Sequence, residues 1–118
     1  MSSPPWVPTA RAVSLAEVER AADYDVVINA TSLGMREVGL GSAVPEVALR
    51  AGQVVMDIVY KPLRTELLAA ARRRGAVVID GSRMLLHQAA RQFELYTRHP
   101  APLTAMNAAL TDQIAALG

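Results

Sequence analysis

Three short apolar runs, rich in β-branched residues, divide the chain, and polar residues or glycine follow each run. The runs are DYDVVINA at 23–30, VVMDIVY at 54–60 and AVVID at 76–80. Residues 26–28 are too uniformly apolar for a strand with one solvated face. The pattern therefore predicts three strands, of which the first is buried on both faces.

Helical patterns lie between these strands. Ser14 can cap a helix that runs to about Ala22, and residues 12–13 can form a short strand before it. Apolar residues with helical spacing follow Pro62, and Gly75 is a natural stop for that second helix. Strands that alternate with helices indicate an α/β fold with a parallel sheet and crossover helices.

The last two helices follow the third strand with no strand between them. Ser82 can cap a long helix over residues 84–98, which the pair His99 and Pro100 ends. Pro102 can open the final helix. Because these two helices break the alternation, we expect them to pack outside the sheet core.

Composition narrows the classes of partner. The chain has 118 residues, a net charge of +1 and 52% hydrophobic residues. So small a charge predicts no binding to nucleic acid or an anionic membrane. The absence of cysteine excludes disulfides and zinc–thiolate sites and fits a cytoplasmic location. We expect no signal peptide or membrane span, and the high apolar fraction suggests a surface that a partner covers.

Candidate ligand-binding residues follow all three predicted strands. They are Asn29, Thr31, Ser32 and Gly34 after the first, Asp57, Ile58 and Tyr60 after the second, and Asp80, Gly81 and Ser82 after the third. Ligands of open parallel sheets bind beyond the carboxyl ends of the strands. If the strands are adjacent, these residues line one crevice.

Several of these residues also have a structural interpretation. Asn29 can satisfy backbone groups of its own loop, and Asp57 can brace a loop or cap a helix as readily as touch a ligand. Gly81 can be needed because the backbone there adopts a dihedral angle that other residues avoid. Gln88 can be a core amide or an interface contact. The turn GxGxxG is absent, so the chain either binds no dinucleotide or contains only the second half of a dinucleotide-binding domain.

Three longer segments extend these patterns: DVVINATSLGM at 25–35, VVMDIVYKPLRTELLAAARRRG at 54–75 and DGSRMLLHQAARQFELYTRHPAP at 80–102. They resemble the DxxINATxxG, DxxYxPxxTxLLxxA and GxxMLxxQA segments of the shikimate dehydrogenase family, in the same order and with the same spacing. The resemblance runs from about Asp25 to Leu110. Family members reduce 3-dehydroshikimate to shikimate with NADPH, and they have an N-terminal substrate domain and a Rossmann-like cofactor domain.

The resemblance implies a partial fold and a partial site. The fold would be a Rossmann-like parallel sheet of three to four strands with flanking helices and two C-terminal helices. Residues 1–8 would be a flexible lead-in, 9–82 the second half of the cofactor domain, and 83–118 the C-terminal helices. The family's carboxylate-binding serines, catalytic Lys/Asp pair, glycine-rich turn and 2′-phosphate segment have no counterpart in this sequence.

The resemblance also implies roles for individual residues. Tyr60 would line the substrate pocket, and Gln88 would hydrogen-bond a substrate hydroxyl. The residues that would border the cofactor are Asn29, Thr31, Ser32, Ile58, Gly81, Met84 and Leu85. It implies no catalytic residue and no metal ligand in this chain. Lys61 is the only lysine in the sequence and is therefore the only lysine available for proton transfer.

The expected function is that of the C-terminal portion of an NADP-dependent shikimate dehydrogenase, inactive and with weak or absent NADP binding as this chain alone. The expected partners are the missing N-terminal portion and the small-molecule substrate shikimate. Two alternatives stay open. One is a non-catalytic module that self-associates, most simply as a homodimer, through its apolar surface. The other is part of an enzyme that uses quinate or NAD.

Overall fold

The strands form one parallel sheet whose spatial order is the order of the chain. A computed structural model describes residues 9–35, 38–39 and 41–117. Strands β1 (Val26–Asn29), β2 (Val54–Asp57) and β3 (Val77–Ile79) pair in parallel in the order β1-β2-β3. The predicted α/β fold is confirmed, with three strands among the described residues.

Helices precede, connect and follow the strands of this sheet along the chain. They are α1 (Glu66–Arg73), α2 (Gly81–Thr97) and α3 (Leu103–Leu117), with 3₁₀ helices at Leu15–Asp23 and Glu46–Ala48. The first 3₁₀ helix confirms the predicted helical segment after Ser14, whose hydroxyl oxygen accepts the amide of Ala16 at 3.1 Å. The predicted lead-in over residues 1–8 lies outside the described residues.

Helix α1 covers one face of the sheet and forms the core with it. The hydroxyl of Thr65 caps the helix by accepting the amide of Leu68 at 3.3 Å, and Gly75 ends it with a φ of +82°. Four residues of α1 are buried in the same core as Val55 of β2: Leu67, Leu68, Ala70 and Ala71. Full burial of one leucine side chain contributes about 1.5–3 kcal/mol, so this stripe is sufficient to hold α1 on the sheet.

A buried glutamine joins the first 3₁₀ helix to β2. The side-chain amide of Gln53 donates to the carbonyl oxygens of Ala21 at 2.7 Å and Tyr24 at 2.8 Å. Its oxygen accepts the amide of Arg50 at 3.2 Å. These bonds satisfy carbonyls at the end of the 3₁₀ helix and fix the chain as it enters β1.

The other face of the sheet is uncovered, and the prediction that β1 is buried on both faces is therefore wrong. Val26 and Ile28 are each 55% exposed, and Val77 is 59% exposed. Their partners in register on this face are the half-buried residues Val54, Met56 and Ile79. We call these six residues the bare face. The uniformly apolar sequence of β1 indicates that both of its faces are suited to burial. Among the described residues, no element of this chain covers the bare face.

The predicted short strand at residues 12–13 is also wrong. Ala12 and Val13 are exposed and lie outside the three described strands. A two-residue run has no stability of its own without a neighbouring strand to pair with. The helix cap at Ser14 instead decides the local conformation.

Asp80, and not Ser82, caps α2, which corrects the predicted start of this helix. The carboxylate of Asp80 accepts the amide of Ser82 at 3.0 Å and also the hydroxyl of Ser82. The helix therefore begins at Gly81 rather than at residue 84. Just inside this start, the guanidinium of Arg83 donates to the side-chain oxygen of Asn107 at 2.7 Å and ties α2 to α3.

The two C-terminal helices pack on each other, as expected for helices outside the sheet core. The radius of gyration is 16.3 Å, whereas a compact chain of this length has about 13.5 Å. Within the described ranges, no helix is both long and apolar enough to cross a bilayer. The sheet layer and the α2–α3 pair thus form an extended arrangement with much uncovered surface.

One charged contact links the second 3₁₀ helix to α1. The carboxylate of Glu46 accepts a hydrogen bond from Arg73 at 2.6 Å and lies 3.5 Å from the guanidinium of Arg74. The hydrogen bond from Arg73 lowers the pKa of Glu46, and the charges of both arginines add to this effect.

We predict that Glu46→Gln slightly lowers the urea midpoint at neutral pH and has a smaller effect at acidic pH. Because the folded-state pKa is lowered, the stabilisation is present above the unfolded-state pKa and is lost as the pH falls through the folded-state value. Glu19→Gln changes an exposed glutamate elsewhere and is the control. A Glu46→Gln deficit of equal size at both pH values would contradict this assignment.

Candidate active site

An open cleft lies at the carboxyl ends of β1 and β2. Its volume is about 390 Å³. Residues after β1 form the first wall, and residues after β2 form the second wall. The lining residues are Ala30, Thr31, Ser32 and Met35 in the first wall and Ile58, Val59, Tyr60 and Lys61 in the second. Because β1 and β2 are adjacent and parallel, their ends meet at the same edge of the sheet.

Asn29 lies beneath the first wall and is only 4% exposed. Its amide nitrogen donates to the carbonyl of Leu33 and to a carboxylate oxygen of Asp57, each at 3.1 Å. Its oxygen accepts the amide of Thr31 at 3.1 Å and the hydroxyl of Thr31 at 2.6 Å. Both donors and both acceptor positions of the amide are thus used within the protein. This is the loop-satisfying role that was one of its two interpretations, and its contact with a cofactor stays a prediction.

Asp57 is fully buried behind the second wall. Its carboxylate accepts hydrogen bonds from the side chain of Asn29, from the amide of Val59 at 3.0 Å and from the hydroxyl of Thr65 at 2.8 Å. A buried carboxylate needs such donors because desolvation otherwise penalises its charge heavily. Asp57 therefore braces a loop and holds the cap residue of α1.

Gly81 is the point at which the third strand end reaches the cleft. A Cβ atom at this position would overlap the carbonyl oxygens of Ile58 and Val59 in the second wall. Gly81 is the first residue of α2 and has a helical backbone. The need for glycine here is therefore close approach of two backbones and not an unusual backbone angle.

Three other predicted residues lie on α2, outside the cleft lining. Met84 is 38% exposed, Leu85 is half-buried, and Gln88 is exposed. The structure therefore brings together the candidate residues of the first two strand ends and places Gly81 against the second wall, but it leaves the other candidates of α2 outside the cleft lining. Asp80 and Ser82 help line a separate cavity of about 280 Å³ between α2 and α3.

The cleft lining contains one basic side chain. This is Lys61, which is exposed and whose Nζ lies 5.6 Å from the ring centroid of Tyr60, within cation–π range. His87 and His99 are exposed and lie outside the lining. Across the described ranges, no cluster of His, Cys, Asp or Glu is able to hold a metal ion.

Thr65 donates to a buried oxygen of Asp57 and caps α1, and it is not among the site residues predicted from the sequence. The signal was present, because a threonine followed by Glu66 and an apolar pair is typical of a helix start. Met35 in the first wall carried no such signal, because the irregular loop after β1 has no periodicity from which to place it.

Comparison with known proteins gives consistent matches. The family model described as "Shikimate 5'-dehydrogenase C-terminal domain" matches residues 81–111. Shikimate dehydrogenase (NADP(+)) of Moorella thermoacetica is 46% identical over 100 residues, covering 85% of this chain and 33% of that protein. The enzyme of the same name from Pyrococcus furiosus is 55% identical over 73 residues, covering 62% of this chain and 26% of that protein.

Solved structures give the same result. Quinate dehydrogenase from Corynebacterium glutamicum in complex with NAD superposes with a TM-score of 0.79 at 37% identity, over 85% of this chain and 36% of that one. Shikimate 5-dehydrogenase from Thermus thermophilus, in complex with NADP(H) and shikimate, gives a TM-score of 0.76 at 31% identity, over 86% of this chain and 38% of that one.

The parallel sheet, the cleft at its carboxyl edge and these neighbours define part of a Rossmann-like fold. The chain corresponds to the C-terminal part of the shikimate dehydrogenase family. It spans about a third of the length of the curated relatives that it matches.

We predict that Gly81→Ala destabilises the fold by about 1–3 kcal/mol, the usual cost of forcing an extra methyl group into a packed contact. The added Cβ would push the second wall of the cleft outward, because it meets backbone atoms that have no rotamer to adopt. Urea unfolding gives the free energy difference. Gln92→Ala, at an exposed position of the same helix, is the control. Equal stability of Gly81→Ala and Gln92→Ala would show that the close contact does not exist.

Proposed function

We propose that this chain forms the nicotinamide side of the active site of an NADP-dependent shikimate dehydrogenase, which reduces 3-dehydroshikimate to shikimate with NADPH. The observation that carries the proposal is the cleft at the adjoining ends of β1 and β2. It occurs in a chain whose relatives are named shikimate dehydrogenase (NADP(+)). The chain acts in this reaction together with the portion that precedes the matching region in those relatives.

The cleft suits the nicotinamide end of the cofactor better than the phosphates. Its volume of about 390 Å³ lies within the range of about 300–1,000 Å³ common for ligand pockets. Ile58 and Met35 offer apolar surface for a ring, and the exposed Ser32 offers a hydroxyl for the ribose. Thr31 is a weaker candidate for the ribose because its hydroxyl is engaged by Asn29. The sequence has no glycine-rich turn to receive a pyrophosphate.

The protein's part in hydride transfer is to hold the reacting groups in a near-attack geometry. When bound, the cofactor supplies the hydride. We assign orientation of the ring to the backbone of Ile58 and Gly81 and to the side chains of Met84 and Leu85. Tyr60 in the second wall would contact the substrate ring. Gln88, which is exposed on α2, has both donors and an acceptor for substrate hydroxyls.

Proton transfer depends on residues outside this chain. A general acid or base must lie within hydrogen-bond reach of the reacting oxygen. Of the residues that line the cleft, none is a carboxylate or a histidine, and Lys61 is exposed at its rim. We therefore expect the preceding portion to supply the acid–base pair, and we expect this chain alone to be inactive and to bind NADP weakly or not at all.

The bare face supports the need for a covering portion. Contiguous exposed apolar surface of this kind marks an interaction site, and three of its residues are more than half exposed. We propose that residues 9–82 complete a cofactor domain and that 83–118 form the C-terminal helices, although α2 already begins at Gly81. We propose a cytoplasmic location for the complete protein.

We predict that the isolated chain gives no turnover with NADP and shikimate, whereas a chimera is active. The chimera joins this chain to the preceding portion, about two thirds, of the Moorella thermoacetica relative. Restored activity is expected because that portion brings the phosphate-binding and acid–base groups to the cleft. The absorbance of the reduced cofactor measures turnover. Turnover by the isolated chain, or a folded chimera without activity, would contradict the proposed function.

Two variants of the chimera sharpen this test. Tyr60→Phe is expected to raise KM for shikimate by about threefold to tenfold, the effect of one lost hydrogen bond. His99→Ala, at an exposed position outside the cleft, is the matched control. Quinate with NAD is the alternative substrate pair, because one structural neighbour is a quinate dehydrogenase in complex with NAD. A kcat/KM for quinate with NAD above that for shikimate with NADP would favour this alternative.

The bare face also motivates a second candidate function, a module that self-associates. In the absence of the preceding portion, the simplest way to remove this apolar surface from water is to bury it against a second copy of the chain. In sedimentation experiments we expect the isolated chain to form a homodimer and Ile28→Lys to be monomeric. Val47→Lys is the control, because Val47 is 80% exposed but lies off the sheet. A monomeric wild-type chain at high concentration would exclude this candidate.

A further inference from the structure

The carboxylate of Asp57 connects both walls of the cleft without lining it. One oxygen accepts from the side chain of Asn29 at 3.1 Å and from the amide of Val59 at 3.0 Å. The other oxygen accepts from the hydroxyl of Thr65 at 2.8 Å. Asp57 is fully buried and is absent from the cleft lining. It is therefore in a position to act on the cleft only through other residues.

A relay of hydrogen bonds runs from Asp57 to the first wall. Asn29, held by Asp57, accepts both the amide and the hydroxyl of Thr31. The oxygen of that hydroxyl accepts the amide of Leu33 at 3.2 Å. The loop after β1 is thus shaped by side-chain contacts that begin at Asp57, and not by a continued strand ladder.

The second wall is held by Asp57 more directly. The ladder between the two strands ends with the amide of Ile58, which donates to the carbonyl of Asn29 at 3.1 Å. The next amide, that of Val59, turns back to the carboxylate of Asp57. Gly81 supports the same backbone from below. The backbones of the two walls therefore separate immediately after the residues that Asp57 contacts, Asn29 and Val59.

Neutral groups supply all three of these hydrogen bonds. None of the ion pairs found among the described residues includes Asp57. The two oxygens of the carboxylate accept three hydrogen bonds at once, which is more than the single oxygen of an amide or a hydroxyl can accept with its two lone pairs. Removing the carboxylate leaves buried donors on both walls without an acceptor.

We propose that Asp57 is a positioning residue that sets the spacing and relative orientation of the two cleft walls, and thereby the alignment of a bound nicotinamide, without contacting cofactor or substrate. The alignment step rests on the proposed function. The coupling of the walls does not, since it is a property of this chain alone. A misplacement of about 1 Å between reacting groups can cost about 100-fold in rate, so a small change in wall spacing is sufficient to matter.

The coupling is tested by amide hydrogen exchange of the isolated chain, followed by NMR. Asp57→Ala is expected to raise the exchange rates of the Thr31, Leu33 and Val59 amides by about tenfold or more, with little change at Ala90 in α2. Asp112→Ala is the control, since it removes an exposed aspartate of α3 that does not line the cleft. It is expected to leave the three cleft amides unchanged. A uniform increase at all amides in Asp57→Ala would overturn the proposal, because it would indicate a loss of global stability alone.

A second variant keeps the test decisive if Asp57→Ala does not fold. Asn29→Ala cuts the relay to the first wall and leaves the contact between Asp57 and Val59 in place. It is expected to speed exchange at Thr31 and Leu33 and to leave Val59 unchanged. Unchanged exchange at Thr31 and Leu33 would show that no relay connects Asp57 to the first wall.

The alignment step is tested in the active chimera with Asp57→Asn, which keeps the size of the side chain and one oxygen acceptor. We expect kcat to fall by about 10- to 100-fold while KM for NADPH stays within about threefold, because the binding groups remain and their alignment is lost. An increase in KM with kcat unchanged, or no change in either, would overturn this step. An inactive wild-type chimera would refute the proposed function but leave the exchange result standing.

Discussion

The buried carboxylate of Asp57 is the constraint on which the carboxyl edge of the sheet depends. A carboxyl group with no accessible surface needs hydrogen-bond partners inside the protein, and the donors to Asp57 come from three segments of the chain. Satisfying it fixes the end of β1, the turn after β2 and the start of α1 together. The cap of α1 is part of the same network, because Thr65 both donates to Asp57 and accepts the amide of Leu68. Local secondary structure and the shape of the cleft are thus set by one group.

The chain has an open cleft at the carboxyl edge of its sheet and an uncovered apolar face on the same sheet. The cleft offers apolar walls and hydroxyls, and its lining contains neither a carboxylate nor a histidine. The residues of the bare face are all apolar, as in the interior of a protein, yet three of them are more than half exposed. Both features fit a chain that spans about a third of its curated relatives. A Rossmann-like sheet divides naturally in this way, because its two halves contribute different parts of the dinucleotide site.

Much of the fold followed from the sequence, because strands and amphipathic helices leave periodic signals. The three strands and α1 were predicted from apolar runs and from the cap and stop residues around them. The start of α2 was wrong because Asp80 and Ser82 are both good cap residues, and only the hydrogen bonds distinguish them. The prediction that β1 is buried on both faces was wrong because an apolar sequence indicates that a strand is suited to burial, but it does not indicate which part of the protein covers the strand. The position of the cleft could be predicted because ligands of parallel sheets bind beyond the carboxyl ends of the strands. The hydrogen bond between Asn29 and Asp57 could not be predicted, because it joins residues 28 positions apart and no local sequence pattern indicates it.

The most direct test of the claim that this chain carries the nicotinamide side of a dinucleotide site is an NMR titration of the isolated chain with two halves of the cofactor. Reduced nicotinamide mononucleotide and adenosine 2′,5′-bisphosphate would be added separately at high concentration. We predict that the nicotinamide half shifts the amide signals of Thr31, Ser32, Ile58 and Tyr60, and that the adenosine half leaves them unchanged. Shifts at the cleft with the adenosine half and none with the nicotinamide half would contradict it.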